Sequence, residues 1–117
     1  MSPSRAYPCQ GVYSATKAAV RSFARTWTTD LYGQGRDIRV NVVSPGPVET
    51  AMLAGHPEGT QMLPGRPEGM EVLASRVSMK RLGRPEEIAK TVTFLASDDA
   101  SFITGAEFFV DGGNAQV

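Results

Sequence analysis

The run Ile38-Arg39-Val40-Asn41-Val42-Val43, stopped by Ser44-Pro45-Gly46-Pro47, constrains this chain more than any other stretch. Four of its six residues are β-branched, a composition that suits the pleated surface of a strand. Bounded by Asp37 on one side and that turn on the other, the run predicts a short buried parallel strand over 38–43. The proline–glycine pair ends it, because neither residue continues a ladder easily. Upstream, Val20, Phe23, Trp27 and Leu31 recur at spacings of three, four and four. That spacing predicts an amphipathic helix from about Tyr13 to Leu31. Gly33 and Gly35 follow it, where left-handed backbone costs least.

Downstream, residues 45–80 carry scattered glycines, prolines and methionines, with only a weak helical pattern around Val72–Val77. A long irregular segment of that kind is expected to act as a lid or to remain mobile. Gly83-Arg84-Pro85-Glu86-Glu87 predicts a helix start, with Pro in the first turn and two acids at the positive end of the dipole. Ile88, Ala89, Val92 and Leu95 line one face of that helix, and Ala106–Val110 reads as a last strand before Asp111-Gly112-Gly113. Helix, strand, lid, helix and strand in that order predict an α/β fold with a right-handed crossover between parallel strands.

Composition narrows the function. At 117 residues the chain suits one small domain at most. Twelve basic and twelve acidic residues cancel, so no broad field points to nucleic acid or an anionic membrane. A single cysteine, Cys9, excludes an internal disulfide framework and fits a reducing compartment. No apolar run approaches the ~20 residues that span a bilayer, and no apolar core of a signal peptide follows Met1. A cytoplasmic, soluble protein is the expectation.

Chemistry concentrates at Tyr13-Ser14-Ala15-Thr16-Lys17. On a helix, residues four apart stand one above the other. A Lys cation beside a Tyr hydroxyl favours the phenolate, which readies the group to exchange a proton with a substrate oxygen. His56 has no second His or Cys at ligand spacing, so no metal site is expected. Arg81, Arg84 and the acids around them read as solvated surface.

Taken with Arg84-Pro-Glu-Glu-Ile-Ala and Ile103-Thr-Gly-Ala-Glu-Phe-Phe-Val-Asp-Gly-Gly, the segments from Tyr13 to Gly113 resemble the C-terminal half of the short-chain dehydrogenase/reductase family. The resemblance implies the C-terminal part of a Rossmann-type, doubly wound parallel sheet: its last two strands with flanking helices, residues 1–117 forming a portion of a single NAD(P)-binding domain. It makes Tyr13 and Lys17 the catalytic pair, with Lys17 also holding the nicotinamide ribose. Pro45, Gly46, Val48 and Thr50 join Tyr13 and Lys17 as cofactor-binding residues, Pro45 and Gly46 by shaping the turn. Residues from about 51 to 79 become the substrate loop, in which Met52, Leu53, Met62, Leu63, Met70 and Met79 could line an apolar pocket. The cofactor implied is NAD or NADP, the substrate a small alcohol or ketone, and the assembly a homodimer or homotetramer. The implied reaction is hydride transfer between NAD(P)(H) and a carbonyl or secondary alcohol.

Two departures qualify these expectations. At the family's usual spacing the catalytic Ser falls one position before Met1, and Ser2 and Ser4 are too near to take its place. No Gly-x-x-x-Gly-x-Gly occurs, so the phosphate-binding βαβ half is missing. The expectation is therefore a fragment that is inactive in isolation. The alternative is a non-catalytic remnant that serves as a packing or oligomerisation module.

Overall fold

The computed structural model describes residues 11–51 and 67–116. Its elements are helix α1 (Gly11–Gly33), strand β1 (Val42–Pro45), helix α2 (Pro67–Arg76), helix α3 (Pro85–Ala96) and strand β2 (Glu107–Val110), with 3₁₀ turns at Asp98–Ala100 and Asn114–Gln116. β1 and β2 form a two-stranded sheet. Val42 N–H donates to Ala106 O and Gly46 N–H to Val110 O, pairs with the same sequence offset, which is the register of parallel strands. The chain divides into two compact units, Met1–Val43 with Thr93–Phe108, and Ser44–Val92 with Phe109–Val117.

In the first unit α1 ends on a Schellman motif. Gly35 takes φ +71°, its N–H donates to Tyr32 O, and Arg36 N–H donates to Leu31 O. Two carbonyls that a helix end would leave unpaired are thereby satisfied. The packed side of α1 is not the large apolar stripe. Ala24 is buried at 5% exposure, whereas Val20, Phe23 and Trp27 are each about half exposed, at 54%, 50% and 52%. Phe23 and Trp27 stack on one another, ring centroids 5.3 Å apart. Small residues let the backbone behind them come close. Thr28, one turn beyond Ala24, reaches Val40 O at 3.4 Å and the Thr104 hydroxyl at 3.4 Å.

The predicted strand over 38–43 forms only in its last part, and β1 begins at Val42. Ahead of it one main-chain bond, from Gly105 N–H to Val40 O at 2.7 Å, is joined by side chains that take the place of the other ladder bonds. Thr104 Oγ1 accepts from Val40 N–H at 3.0 Å. Asn41 donates through Nδ2 to Ile103 O at 2.9 Å and accepts through Oδ1 from Ala106 N–H at 3.1 Å. Arg39 spreads its guanidinium over Leu95 O and Ser97 O at 2.7 and 3.1 Å, the carbonyls at the end of α3. Polar side chains thus hold a segment whose composition predicts plain strand. Nor is the run buried: β1 is half-buried along Val42–Ser44 and exposed at Pro45, and Ile38 is 46% exposed.

In the second unit α2 is longer than the Val72–Val77 pattern implies, because Pro67 supplies a favoured first helical residue. Val77, just past its end, is 2% exposed, and Leu82 is 7% exposed. Lys80 closes the connection in the left-handed region at φ 55°, its ammonium donating to Ser75 O at 2.8 Å. The α3 start falls at Pro85, as the sequence predicts.

Candidate functional site

The site residues predicted from sequence fall in two groups, one in each unit. Tyr13 and Lys17 lie in the first two turns of α1. Thr16 Oγ1 donates to Tyr13 O at 2.7 Å, an added tie across that turn. The Lys17 ammonium stands over the Tyr13 ring, 5.4 Å from its centroid, the placement of a cation on an aromatic face. Tyr13 is 58% exposed and Lys17 is exposed, so both are accessible to a ligand. The structure therefore unites the phenol and the ammonium on one helix face.

Pro45, Gly46, Val48 and Thr50 form one turn at the carboxyl end of β1, the end of a parallel strand where open α/β sheets take ligands. Two segments distant in sequence hold it. Gly83 N–H donates to Pro47 O and Glu49 N–H to Gly83 O, both at 2.9 Å, making a parallel bridge between Val48 and Gly83. In such a bridge Val48's own N–H and C=O point away from Gly83, as a donor–acceptor pair. On the other flank, a Cβ added at Gly46 would lie 2.7 Å from Asp111 Cα and 2.9 Å from Asp111 O. Glycine is required there by the close approach of backbone, not by a positive φ. Asp111 in turn organises its own loop, its two carboxylate oxygens accepting from Gly113 N–H and Ala115 N–H at 2.8 Å each.

Beside this turn the second unit holds a cavity of about 520 Å³, lined by Pro47, Met79, Ile88, Phe109 and the Arg81–Glu87 pair among others. Met79, expected from sequence to line an apolar pocket, does so. Met70 is half-buried, and Met52, Leu53, Met62, Leu63, His56, Cys9, Ser2 and Ser4 lie outside the described residues. Among the described residues no three His, Cys, Asp or Glu side chains cluster as metal ligands would. No helix among them is long and apolar enough to cross a membrane.

Arg81 and Glu87 lie at the surface, as the sequence reading has them, but they form a specific pair which that reading does not contain. Arg81 grips Glu87 through two bonds of 2.7 and 2.8 Å, the forked geometry that only a guanidinium offers. Arg84 N–H adds a third bond to Glu87 Oε2 at 2.8 Å. The bond from Arg81, and then that from Arg84, hold the Glu87 carboxyl down at about 2, from an ordinary 4.5. The same carboxylate raises the Arg81 guanidinium. Half of this was visible beforehand: a Glu three residues past the cap position, with Pro between, is the reaching half of a capping box. The partner Arg81 was not, since nothing local says which cation turns toward that carboxylate.

The family model described as enoyl-(acyl carrier protein) reductase matches residues 1–115, and the chain belongs to the short-chain dehydrogenase/reductase family. It is 42% identical over 106 residues to the 3-oxoacyl-(acyl-carrier-protein) reductase FabG of Thermotoga maritima, covering 91% of this chain and 39% of the relative. It is 36% identical over 106 residues to the NADP-dependent (R)-specific alcohol dehydrogenase of Lentilactobacillus kefiri, again covering 91% and 39%. A solved short chain dehydrogenase family protein from Francisella tularensis superposes with a TM-score of 0.79 at 28% identity, over 96% of this chain and 46% of that one. The chain spans about two fifths of the length of these curated relatives. The α/β arrangement and its parallel strand pair are those of the C-terminal part of a Rossmann sheet.

Proposed function

We propose that this chain supplies the proton-handling half of an NAD(P)-dependent oxidoreductase acting on a carbonyl or secondary alcohol. The observation that carries the reading is the Tyr13–Lys17 pair, with the ammonium 5.4 Å from the ring centroid. Family membership adds support. A nicotinamide dinucleotide would supply or accept the hydride. The residues present suit such a group: an exposed phenol, an ammonium with three donors for a ribose diol, and at Val48 an outward donor–acceptor pair that matches a carboxamide.

In this reading the Tyr13 hydroxyl gives its proton to the substrate oxygen in reduction, and its phenolate takes one from the alcohol in oxidation. Lys17 stabilises the phenolate and holds the ribose hydroxyls. The Pro45–Thr50 turn orients the carboxamide through Val48 backbone groups and the Thr50 hydroxyl, while Pro45 and Gly46 give the turn its shape. Either NAD or NADP is compatible with these residues. Replacing Tyr13 by Phe in the active protein should lower kcat by on the order of 10²–10⁴ with the circular dichroism spectrum unchanged. More than a tenth of the activity remaining would overturn the assignment.

The proposal extends to self-association. Phe23 and Trp27 are half exposed and Phe102 is 103% exposed, apolar surface that a homo-oligomer would cover. Light scattering should show a dimer or larger species at micromolar concentration, and a monodisperse monomer would count against it.

A further inference from the structure

We propose that Arg81 and Glu87 are positioning residues, which fix the Pro45–Thr50 turn through the backbone of Gly83. The inference rests on the reading of that turn as a cofactor contact. Its physical basis is a closed loop of bonds. Gly83 gives the turn two lateral hydrogen bonds, from its N–H to Pro47 O and through its C=O from Glu49 N–H, beside the bond that Gly46 N–H makes to Val110 O. The chain on either side of Gly83 is tied to one carboxylate. Ahead of it, Arg81 holds both oxygens of Glu87, and its Nη1 also donates to Leu82 O at 3.0 Å. Behind it, the Arg84 N–H donates to Glu87 Oε2, and the Arg84 Nε stands 3.8 Å from the same atom.

Glu87 is itself anchored in the first turn of α3, so residues 81–84 are pinned to a helix end. Glu49, within the turn, adds to the electrostatic hold on Arg81. The side chain that Gly83 lacks is not the device. A Cβ there would meet Val48 Cγ2 at 3.5 Å and Pro47 O at 3.6 Å, which are ordinary contacts. What is held is the backbone.

The pair is partly solvent-exposed, Arg81 at 46% and Glu87 at 27% of their side chains, and such pairs contribute little to global stability. Its effect is therefore local, which separates positioning from a merely structural role. Amide hydrogen exchange in Glu87→Gln and Arg81→Met should show the Glu49 and Gly83 N–H groups exchanging about threefold to tenfold faster. The Val42 and Gly105 N–H groups of the other unit should keep their rates. Arg81→Lys, which retains the charge and loses the fork, should fall between wild type and Arg81→Met.

In the assembled, active protein, KM for the nicotinamide cofactor should rise by a similar factor while kcat stays within about twofold, the split expected when only binding is weakened. Unchanged exchange at Glu49 and Gly83, or acceleration of all four amides together, overturns the proposal. A loosened turn with an unchanged cofactor KM upholds the clamp and overturns instead the assignment of that turn to the cofactor.

Discussion

The two groups of candidate site residues are built in opposite ways. Tyr13 and Lys17 owe their geometry to the pitch of α1, four residues apart on a helix that its own glycines stop. The Pro45–Thr50 turn has no such local rule. It is held by Gly83 on one side and crowded by Asp111 on the other, residues tens of positions away. A pair that depends on local periodicity survives changes elsewhere in the chain. A turn that depends on three converging segments is set by residues outside it.

That contrast can be broken most directly at Lys17. Lys17→Met should lower activity by on the order of 10²–10⁴, nearly as far as loss of Tyr13, and weaken cofactor binding, while the helical content of α1 is retained. Loss of folding along with activity would show that the pair is not a local construction. Gly46→Ala should behave differently. With its Cβ 2.7 Å from Asp111 Cα, overpacking should cost about 1–3 kcal/mol, read by chemical denaturation of the assembled protein. Unchanged stability would mean that the two loops part easily and that the turn is not held as described.

The smallest effect is expected from acid. The carboxyl of Glu87 is depressed in the folded chain, from 4.5 to about 2. Its contribution to stability is therefore present above pH 4.5 and is lost as the pH falls through about 2, because the unfolded chain binds the proton first. Solvent screening keeps the effect modest. Glu87→Gln should flatten the acid limb of a circular dichroism titration over that range. An identical limb in wild type and variant would show that the carboxylate is not the group being titrated.

Much of α1 was legible in the residues. Its course from Tyr13 to Leu31, its glycine stop and the placing of Lys17 beside Tyr13 follow from spacing over one or two turns, while the helix itself runs on to Gly33 and begins at Gly11. The face it packs was not legible. Val20, Phe23 and Trp27 make the stronger apolar stripe, yet Ala24 is the buried residue, because close approach to Val40 and Thr104 rewards small side chains over large ones. The strand shows the same division. Its β-branched residues predicted a buried ladder from Ile38, and the ladder begins only at Val42 because Asn41 and Thr104 satisfy the backbone ahead of it.

The sequence by itself therefore determined the kinds and order of α1, β1, α3 and β2, the Tyr13–Lys17 pair and the turn that ends β1, since each is coded within a few residues by periodicity, glycine or proline, whereas α2 stands where the sequence reads as an irregular segment. Tertiary structure decided which helix face is covered, where pairing starts, and that Arg81 closes on Glu87 while Gly46 meets Asp111. Those contacts depend on the approach of segments far apart in the chain, and no local pattern of residues encodes a distance of that kind.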